Sequence, residues 1–415
     1  MSTTGISIVM NGIRKCSGSC LYCSAASTMN YRAKDNQTSF IFNKEKTKKT
    51  ILEYCKTVLE QDRKKGEGTT INIDIWGGNP VENFKPFKEV VAFCENDLKE
   101  FKIVKLHTSG NGLELQSRDI VDFLINHNIH YQLSHDGLGQ WLRTGEIDPL
   151  YWDKTKDNIA ELTKKGILDW INCSLTARNP SFFDNIDYWN KWRKEINLDN
   201  KIDLTIKLNH IYDGTPPIEK KWTGKDNAQI KNGEIIGDLN LHGETLQEYL
   251  HEFRKLALIC HTPGVREGWE FKPFCNYIFG QTGRFKIYKD ENELGSCTKF
   301  QRGITKTNFA IDTKGNYCQC NLIDSDGKVK NEKAQMPDYC KGCIYEKTLE
   351  CNTCGSENFP EKCEYKWWWN KTLEETFQMI QLIDAYENLL KNNNTHQCNC
   401  NKPDEPVFCV KGYRL

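Results

Sequence analysis

Three cysteines near the start of the chain have the spacing of a metal-binding loop. They lie in the run Cys16-Ser17-Gly18-Ser19-Cys20-Leu21-Tyr22-Cys23, directly after an apolar stretch, Ile6–Met10. A strand running into a Gly/Ser-rich loop can wrap three thiolates around one inorganic cluster. Three ligands on a four-iron cluster leave one iron without a protein ligand. A small molecule can bind at that iron and accept an electron. The competing reading is a zinc knuckle or three buried thiols. Zinc knuckles usually draw their cysteines as two close pairs, and no second pair follows within about 20 residues.

The elements that must hold this loop read as alternating strands and helices. Strand patterns fall at Ile6–Met10, Thr70–Trp76, Phe101–His107, Ile129–Ser134, Trp170–Thr176 and Ile202–Asn209. Between them, helical patterns cover Lys44–Lys64, Phe84–Leu98, Ser117–Asn126, Tyr151–Lys165 and Pro180–Ile196. On the first helix Ile51, Leu52, Cys55, Val58 and Leu59 share one face. Such alternation implies right-handed crossovers and a parallel α/β sheet. Cys55, Cys94 and Cys173 fall inside these patterns and read as small apolar filler.

Composition narrows the class. The 415 residues contain 38% hydrophobic residues and balance 56 basic against 56 acidic side chains. The neutral balance offers no global pull on nucleic acid. No run of about 18 apolar residues occurs, so no membrane span is expected. No basic segment followed by an apolar core opens the chain, so a cytoplasmic location is expected. Of 19 cysteines, six precede residue 260 and thirteen lie between Cys260 and Cys409. In a reducing compartment that density points to metal or Fe–S ligation rather than to disulfides.

The cysteine triplet, with an aromatic residue (Tyr22) before its third member, resembles the radical SAM superfamily. That resemblance implies a partial (β/α)6 barrel with its chemistry at the C-terminal strand ends. It also implies a [4Fe–4S] cluster on Cys16, Cys20 and Cys23, with S-adenosylmethionine (SAM) chelated at the open iron. An electron then cleaves SAM to a 5′-deoxyadenosyl radical, which abstracts a substrate hydrogen. An electron donor such as flavodoxin or ferredoxin goes with this chemistry. Gly77-Gly78-Asn79-Pro80, after the second strand, resembles the family's glycine-glycine-glutamate-proline turn, which holds the SAM amino group. Asn79 replaces the usual acid, keeping an acceptor but losing the charge. Thr108-Ser109-Gly110-Asn111-Gly112 resembles a family segment near SAM, which implicates Asn111. Ser134-His135-Asp136-Gly137, followed by Arg143, resembles the segment that holds the SAM carboxylate in peptide-modifying members. His135 is read as a packed or hydrogen-bonded histidine.

Residues 236–290 read as a helical linker containing the amphipathic helix Glu244–Leu258. Residues 291–366 resemble the SPASM extension, which binds two auxiliary [4Fe–4S] clusters. The resemblance gives Cys340, Cys343, Cys351 and Cys363 to the outer cluster. It gives Cys297, Cys320 and Cys354 to the inner one, with Cys275 a possible fourth ligand. Two zinc sites are the alternative. The fit is inexact, because seven residues separate Cys343 from Cys351 and two separate Cys351 from Cys354. The relatives most alike are anaerobic sulfatase-maturating enzymes, in which an aspartate follows the cysteine after the glycine. Here that place is Asn321, and Asp324 or Asp326 are candidates for the base. The barrel begins at the N-terminus, which leaves no room for a leader-peptide-binding domain. Residues 367–415 should form a helix and a tail. In them Trp367-Trp368-Trp369 pack against the cysteine-rich region, or offer a stacking platform. Helix Leu373–Leu390 follows, with Phe377, Ile380, Ile383 and Leu389 or Leu390 inward, and Cys398, Cys400 and Cys409 have no assigned role. The expected substrate is a peptide or protein side chain. The alternatives are an amino-acid-decorated nucleotide or small amine, and a non-catalytic Fe–S or zinc scaffold.

Overall fold

The computed structural model describes residues 2–10, 16–18, 20, 40–65, 69–98, 103–144, 148–198, 204–210, 230–231, 234–235, 241, 243–262, 264–265, 268–282, 309–318, 344, 360–392, 409–410 and 413–414. Strands and helices alternate as the sequence pattern requires. In order they are β1 (Ser2–Val9), α1 (Lys44–Lys65), β2 (Thr69–Trp76), α2 (Phe84–Asp97) and β3 (Ile103–Gly110). Then come α3 (Arg118–Asn126), β4 (Ile129–Ser134), α4 (Asp153–Lys164), β5 (Leu168–Leu175), α5 (Phe182–Glu195) and β6 (Thr205–His210). These six strands pair in parallel in chain order.

The sheet is wider than six strands. β7 (Phe309–Asp312) adds in parallel beside β1, and β8 (Tyr317–Cys318) pairs antiparallel with β7. Both come from the stretch read as part of the cysteine-rich extension, so that stretch completes the edge of the sheet. The strand order runs β8-β7-β1-β2-β3-β4-β5-β6, and among the described residues no strand closes the sheet.

Period-two alternation gives the sheet two unlike faces. One face carries Ile6, Ile8, Ile71, Ile73, Ile75, Tyr131, Leu133, Ile171, Ile206 and Leu208, which enter one core with Phe87, Val91, Val121, Leu124, Ile159 and Trp189 of the helices. Cys55, Cys94 and Cys173 are buried in this core, as filler should be. Burial pushes the Cys55 thiol up to about 12 and moves Cys94 and Cys173 in the same direction. The opposite face is polar, with Asp74, Lys105, His107, Gln132 and Lys207. At the β4–β5 pairing the register skips Asp169, since Tyr131 opposes Leu168 and Gln132 opposes Trp170. This irregularity brings Asp169 and Trp170 to the polar side together. Asp169 there meets His130 at 2.7 Å and also Lys105, while Trp170 stacks on His107 at 4.3 Å.

Helix α6 (Gly243–His261) docks onto the start of α5 through one carboxylate. Glu252 accepts the Phe182 N–H at 2.6 Å and the Ser181 hydroxyl at 3.0 Å, adding an anion at a helix N-terminus that Ser181 already caps. A further helix, α7 (Lys272–Thr282), lies in the later part of the stretch read as a helical linker, where the sequence pattern delimits no separate helix. Helix α8 runs unbroken from Pro360 to Asn392, so Cys363 and the tryptophan run lie on one element. Trp369 is fully buried against Tyr249 and Phe253 of α6, at 5.8 and 4.7 Å between ring centroids. Among the described residues it therefore packs on the helical segment; most of the cysteine-rich region lies outside them. The buried stripe of α8 is Trp369, Leu373, Thr376 and Ile380. Phe377 falls beside that stripe and is exposed. Among the described residues no helix is long and apolar enough to cross a membrane.

Candidate functional site

The C-terminal ends of β1 to β4 carry nearly all of the described residues that the motifs single out. After β1, Met10 continues the ladder by donating its N–H to the Trp76 carbonyl at 2.8 Å. The chain returns at Cys16, which is exposed, and Cys20, which is buried; neither is in a disulfide. A Cβ built on Gly18 would lie 3.4 Å from Cys16 Sγ, 3.5 Å from Cys20 Sγ and 3.4 Å from Asn111 Nδ2. Both sulfurs thus approach one spot beside Gly18. That arrangement fits residues that could share one inorganic cluster. Tyr22 and Cys23 lie outside the described residues.

Ser17 pins this loop to the neighbouring strand ends. Its N–H donates to Glu82 Oε2 at 2.8 Å, and its hydroxyl also contacts Glu82. Asn111 Nδ2 donates to Ser17 Oγ at 3.2 Å. Asn111 is held in turn by its own turn, accepting the Leu113 N–H at 3.0 Å. Glu82 follows the Gly77–Pro80 turn by two residues, and sequence reasoning passed over it. In that turn Gly77 has φ +127° and lies so close to Met10 that a Cβ would sit 3.1 Å from the Met10 carbonyl oxygen. A side chain there is excluded on both counts.

Asn79 is buried and donates through Nδ2 to Glu114 Oε2 at 2.9 Å. Its Oδ1 faces the Glu82 N–H at 3.4 Å. Glu114, in the turn after β3, also accepts the Tyr131 hydroxyl. Burial raises its carboxyl above the ordinary value, while the bonds from Tyr131 and Asn79 pull it back. Tyr131 is pushed well above its usual range by burial and by the Glu114 charge. Glu114 was not singled out from sequence. A glutamate among apolar neighbours in Leu113-Glu114-Leu115 is the signal that marks it.

Beyond β4, Asp136 is nearly inaccessible and gathers three donors. Its Oδ1 accepts Arg143 Nη2 and the Ser174 N–H, each at 2.9 Å, and its Oδ2 accepts Arg143 Nε at 3.2 Å. Arg143 Nη1 lies 3.4 Å from Cys20 Sγ. The guanidinium therefore bridges the β4 end to the cysteine loop. Ser134 is the last residue of β4 and is half-buried. His135 is fully buried and accepts the Gly137 N–H on Nδ1 at 3.1 Å, so its proton sits on Nε2, which meets Asp148 Oδ1 at 2.8 Å. Burial lowers its pKa, against the opposing pull of Asp148. Asp148 resists the upward push of its own burial. The bonds from His135, the Leu150 N–H and Tyr188 hold it below the usual carboxylate value. His135 is thus a brace for the loop that carries Asp136 and Arg143.

The auxiliary ligands are a different matter. Cys297, Cys320, Cys340, Cys343, Cys351 and Cys354 lie outside the described residues, as do Asp324, Asp326, Cys398 and Cys400. Cys363 is on α8 and Cys409 in a two-residue strand. Cys275 is buried on α7 beside Cys260, whose thiol is pushed far up by the Cys275 contact and by burial. Among the described residues no cluster of three or more His, Cys, Asp or Glu side chains is gathered for a metal.

Solved structures that share the chain's largely parallel α/β sheet match it over most of its length. Similar to it is anSMEcpe, an anaerobic sulfatase-maturating enzyme, with AdoMet and the Cp18Cys peptide bound: TM-score 0.55, 14% identity, 93% of this chain and 99% of that one covered. The same enzyme with AdoMet alone gives a TM-score of 0.53 at 14% identity, covering 92% and 99% of the two chains. No protein-family model matches the chain, and no curated protein matches it by sequence.

Proposed function

We propose that this protein is a radical SAM enzyme, with a [4Fe–4S] cluster on Cys16, Cys20 and Cys23 and SAM at the strand ends beside it. The observation that carries the reading is the approach of Cys16 Sγ and Cys20 Sγ to one spot beside Gly18, next to Asn111 and the loop contacts of Glu82. When bound, the reduced cluster supplies the electron that splits SAM into methionine and a 5′-deoxyadenosyl radical. The chain's own residues prepare that site. Arg143, clamped by Asp136, places a cation beside Cys20, which favours the thiolate a metal requires. The same guanidinium, with Ser134, is suited to the SAM carboxylate. Asn79 and the Gly77-Gly78 backbone receive the amino group, and Asn111 closes the loop over the pocket.

The substrate we infer is a peptide or protein side chain, supported by the Cp18Cys peptide in the similar anSMEcpe structure. Auxiliary [4Fe–4S] clusters on the later cysteines would bind substrate or take up the electron left after hydrogen abstraction. A flavodoxin- or ferredoxin-type donor would supply the reducing electron. A second reading, an amino-acid-decorated nucleotide or small amine, is favoured by the polar inner face of the sheet, where Lys207 lies 3.7 Å over the Trp170 ring.

Anaerobic reconstitution tests the proposal. Three clusters predict about twelve irons per chain, and about eight once Cys16, Cys20 and Cys23 are all changed to Ala. 5′-Deoxyadenosine should appear only with the unaltered protein, reductant and SAM. About four irons would remove the auxiliary clusters and leave the SAM chemistry. Zinc in place of iron, with no SAM cleavage, overturns the enzymatic reading in favour of a scaffold.

A further inference from the structure

Asn79 lacks a charge, yet the turn that holds it does not. The Glu114 carboxylate reaches the Asn79 amide from beneath, with Nδ2 to Oε2 at 2.9 Å, and it takes the Tyr131 hydroxyl on Oε1. Space for it is made by Gly110, where a Cβ would overlap both Glu114 Oε1 and the Tyr131 hydroxyl. The contact also fixes which way the amide faces. Were it turned over, Asn79 Oδ1 would meet the carboxylate oxygen and repel it, so Nδ2 must point inward and Oδ1 outward.

Glu114 is 7% exposed, and among the described residues no lysine, arginine or histidine pairs with it. Both of its donors are neutral. A carboxyl taken out of water with only neutral donors is costly to ionise, so it favours the neutral form until a cation arrives to compensate the charge. The nearest other acid, Glu82, is engaged by the Ser17 N–H and hydroxyl and adds to the negative potential rather than relieving it. A buried carboxyl group, an amide oxygen whose one described donor is the Glu82 N–H at a long 3.4 Å, and a side-chain-free Gly77-Gly78 backbone together describe a seat for a ligand ammonium group.

We propose that Glu114 is a positioning residue for the ammonium group of SAM, supplying through Asn79 the negative charge that position 79 does not carry. This rests on the SAM reading above. Glu114 orients the amide so that Asn79 Oδ1 accepts from the ammonium, and its charge balances the ligand's in the same buried pocket.

The test uses reconstituted holoprotein and two ligands in equilibrium dialysis. SAM carries the ammonium. 5′-Methylthioadenosine keeps the adenosine and its methylated sulfur, as a neutral thioether in place of the sulfonium, and lacks the amino-acid part. Glu114→Gln preserves the shape and an acceptor for Asn79 but removes the charge. It should weaken SAM about tenfold or more and leave methylthioadenosine within about twofold. Returning the acid to the turn, as Asn79→Glu with Glu114→Gln, should restore SAM to within about threefold of the unaltered protein. Unchanged SAM affinity in Glu114→Gln overturns the proposal. So does equal weakening of both ligands, which marks a merely structural role, and so does a double variant no better than Glu114→Gln. Absence of SAM binding in the unaltered holoprotein is a distinct result, which removes the parent reading and this one with it.

Discussion

Removing Asp136 strips a buried cation of its partner. The Arg143 side chain is 11% exposed and its mate Asp136 is 1% exposed. Two of the guanidinium's donors end on that carboxylate, at 2.9 and 3.2 Å, and the carboxylate also holds the Ser174 N–H at 2.9 Å. Breaking a buried pair from one side costs about 3–5 kcal/mol, because the orphaned charge stays in a low dielectric. Asp136→Ala should therefore cost about 3 kcal/mol or more, and Arg143→Met a similar amount. With both changed, no unpaired charge remains, and the double variant should be no worse than the worse single. The coupling then reaches about 3 kcal/mol, the upper end for contacting residues. The assay is guanidinium chloride unfolding of cluster-free protein in reductant, since bound clusters spoil two-state behaviour. The fully buried Trp189 and Trp192 report the transition by fluorescence. Costs that simply add, with coupling below about 0.5 kcal/mol, would refute the argument that Asp136 is retained as the partner of Arg143.

Other consequences are as direct. His135 is held below its reference value of 6.5 by burial, so the unfolded chain binds its proton before the folded one does. Stability should hold above about pH 6.5 and fall as the pH drops below it, and His135→Gln should flatten that part of a thermal-melt series. Asp148, held below its own reference value of 3.8, loses its contribution only at lower pH, so the two effects separate along the titration. Trp369→Ala should cost about 3–5 kcal/mol by denaturant unfolding, whereas Trp367→Ala, at a half-buried position, should cost distinctly less. Glu82→Ala should lower iron retention at the first cluster on anaerobic dialysis while leaving the unfolding midpoint of the cluster-free protein nearly unchanged. Its partner Ser17 is exposed, and their bonds tie down a loop rather than a core.

The alternation of the first half was legible because each strand buries one apolar face, and Ile129–Ser134 was bounded from sequence as it stands in the structure. Strand-end motifs were legible too, since glycine and acid types cluster where side chains must give way to a ligand. What escaped was long-range. Nothing local in Phe309–Asp312 distinguishes a strand of a separate module from one that pairs with β1, because the partner is about 300 residues away. The tryptophan run declared itself apolar without declaring which surface it covers. Glu82 and Glu114 escaped because an isolated acid in a loop defaults to a solvated one. Only the fold places Glu114 under Asn79.

The two halves of the site are built on different electrostatic terms, and that difference orders the roles given to them. At β4 an aspartate holds two of the five N–H groups of an arginine, which fixes the guanidinium in place and leaves the others to face Cys20 and a ligand. At β2 and β3 the Glu114 carboxyl meets only neutral donors among the described residues, so the balance for its charge must come from what binds. A zwitterionic amino acid needs one cationic and one anionic seat, and SAM carries that group at one end. The β4 side offers a guanidinium and the β2 side offers an acid. Between them the cysteine loop is pinned from both sides, by Glu82 through Ser17 and by Arg143 at Cys20. A scaffold that only held a metal would need the sulfurs, but it would have no use for charges of opposite sign set on either side of them.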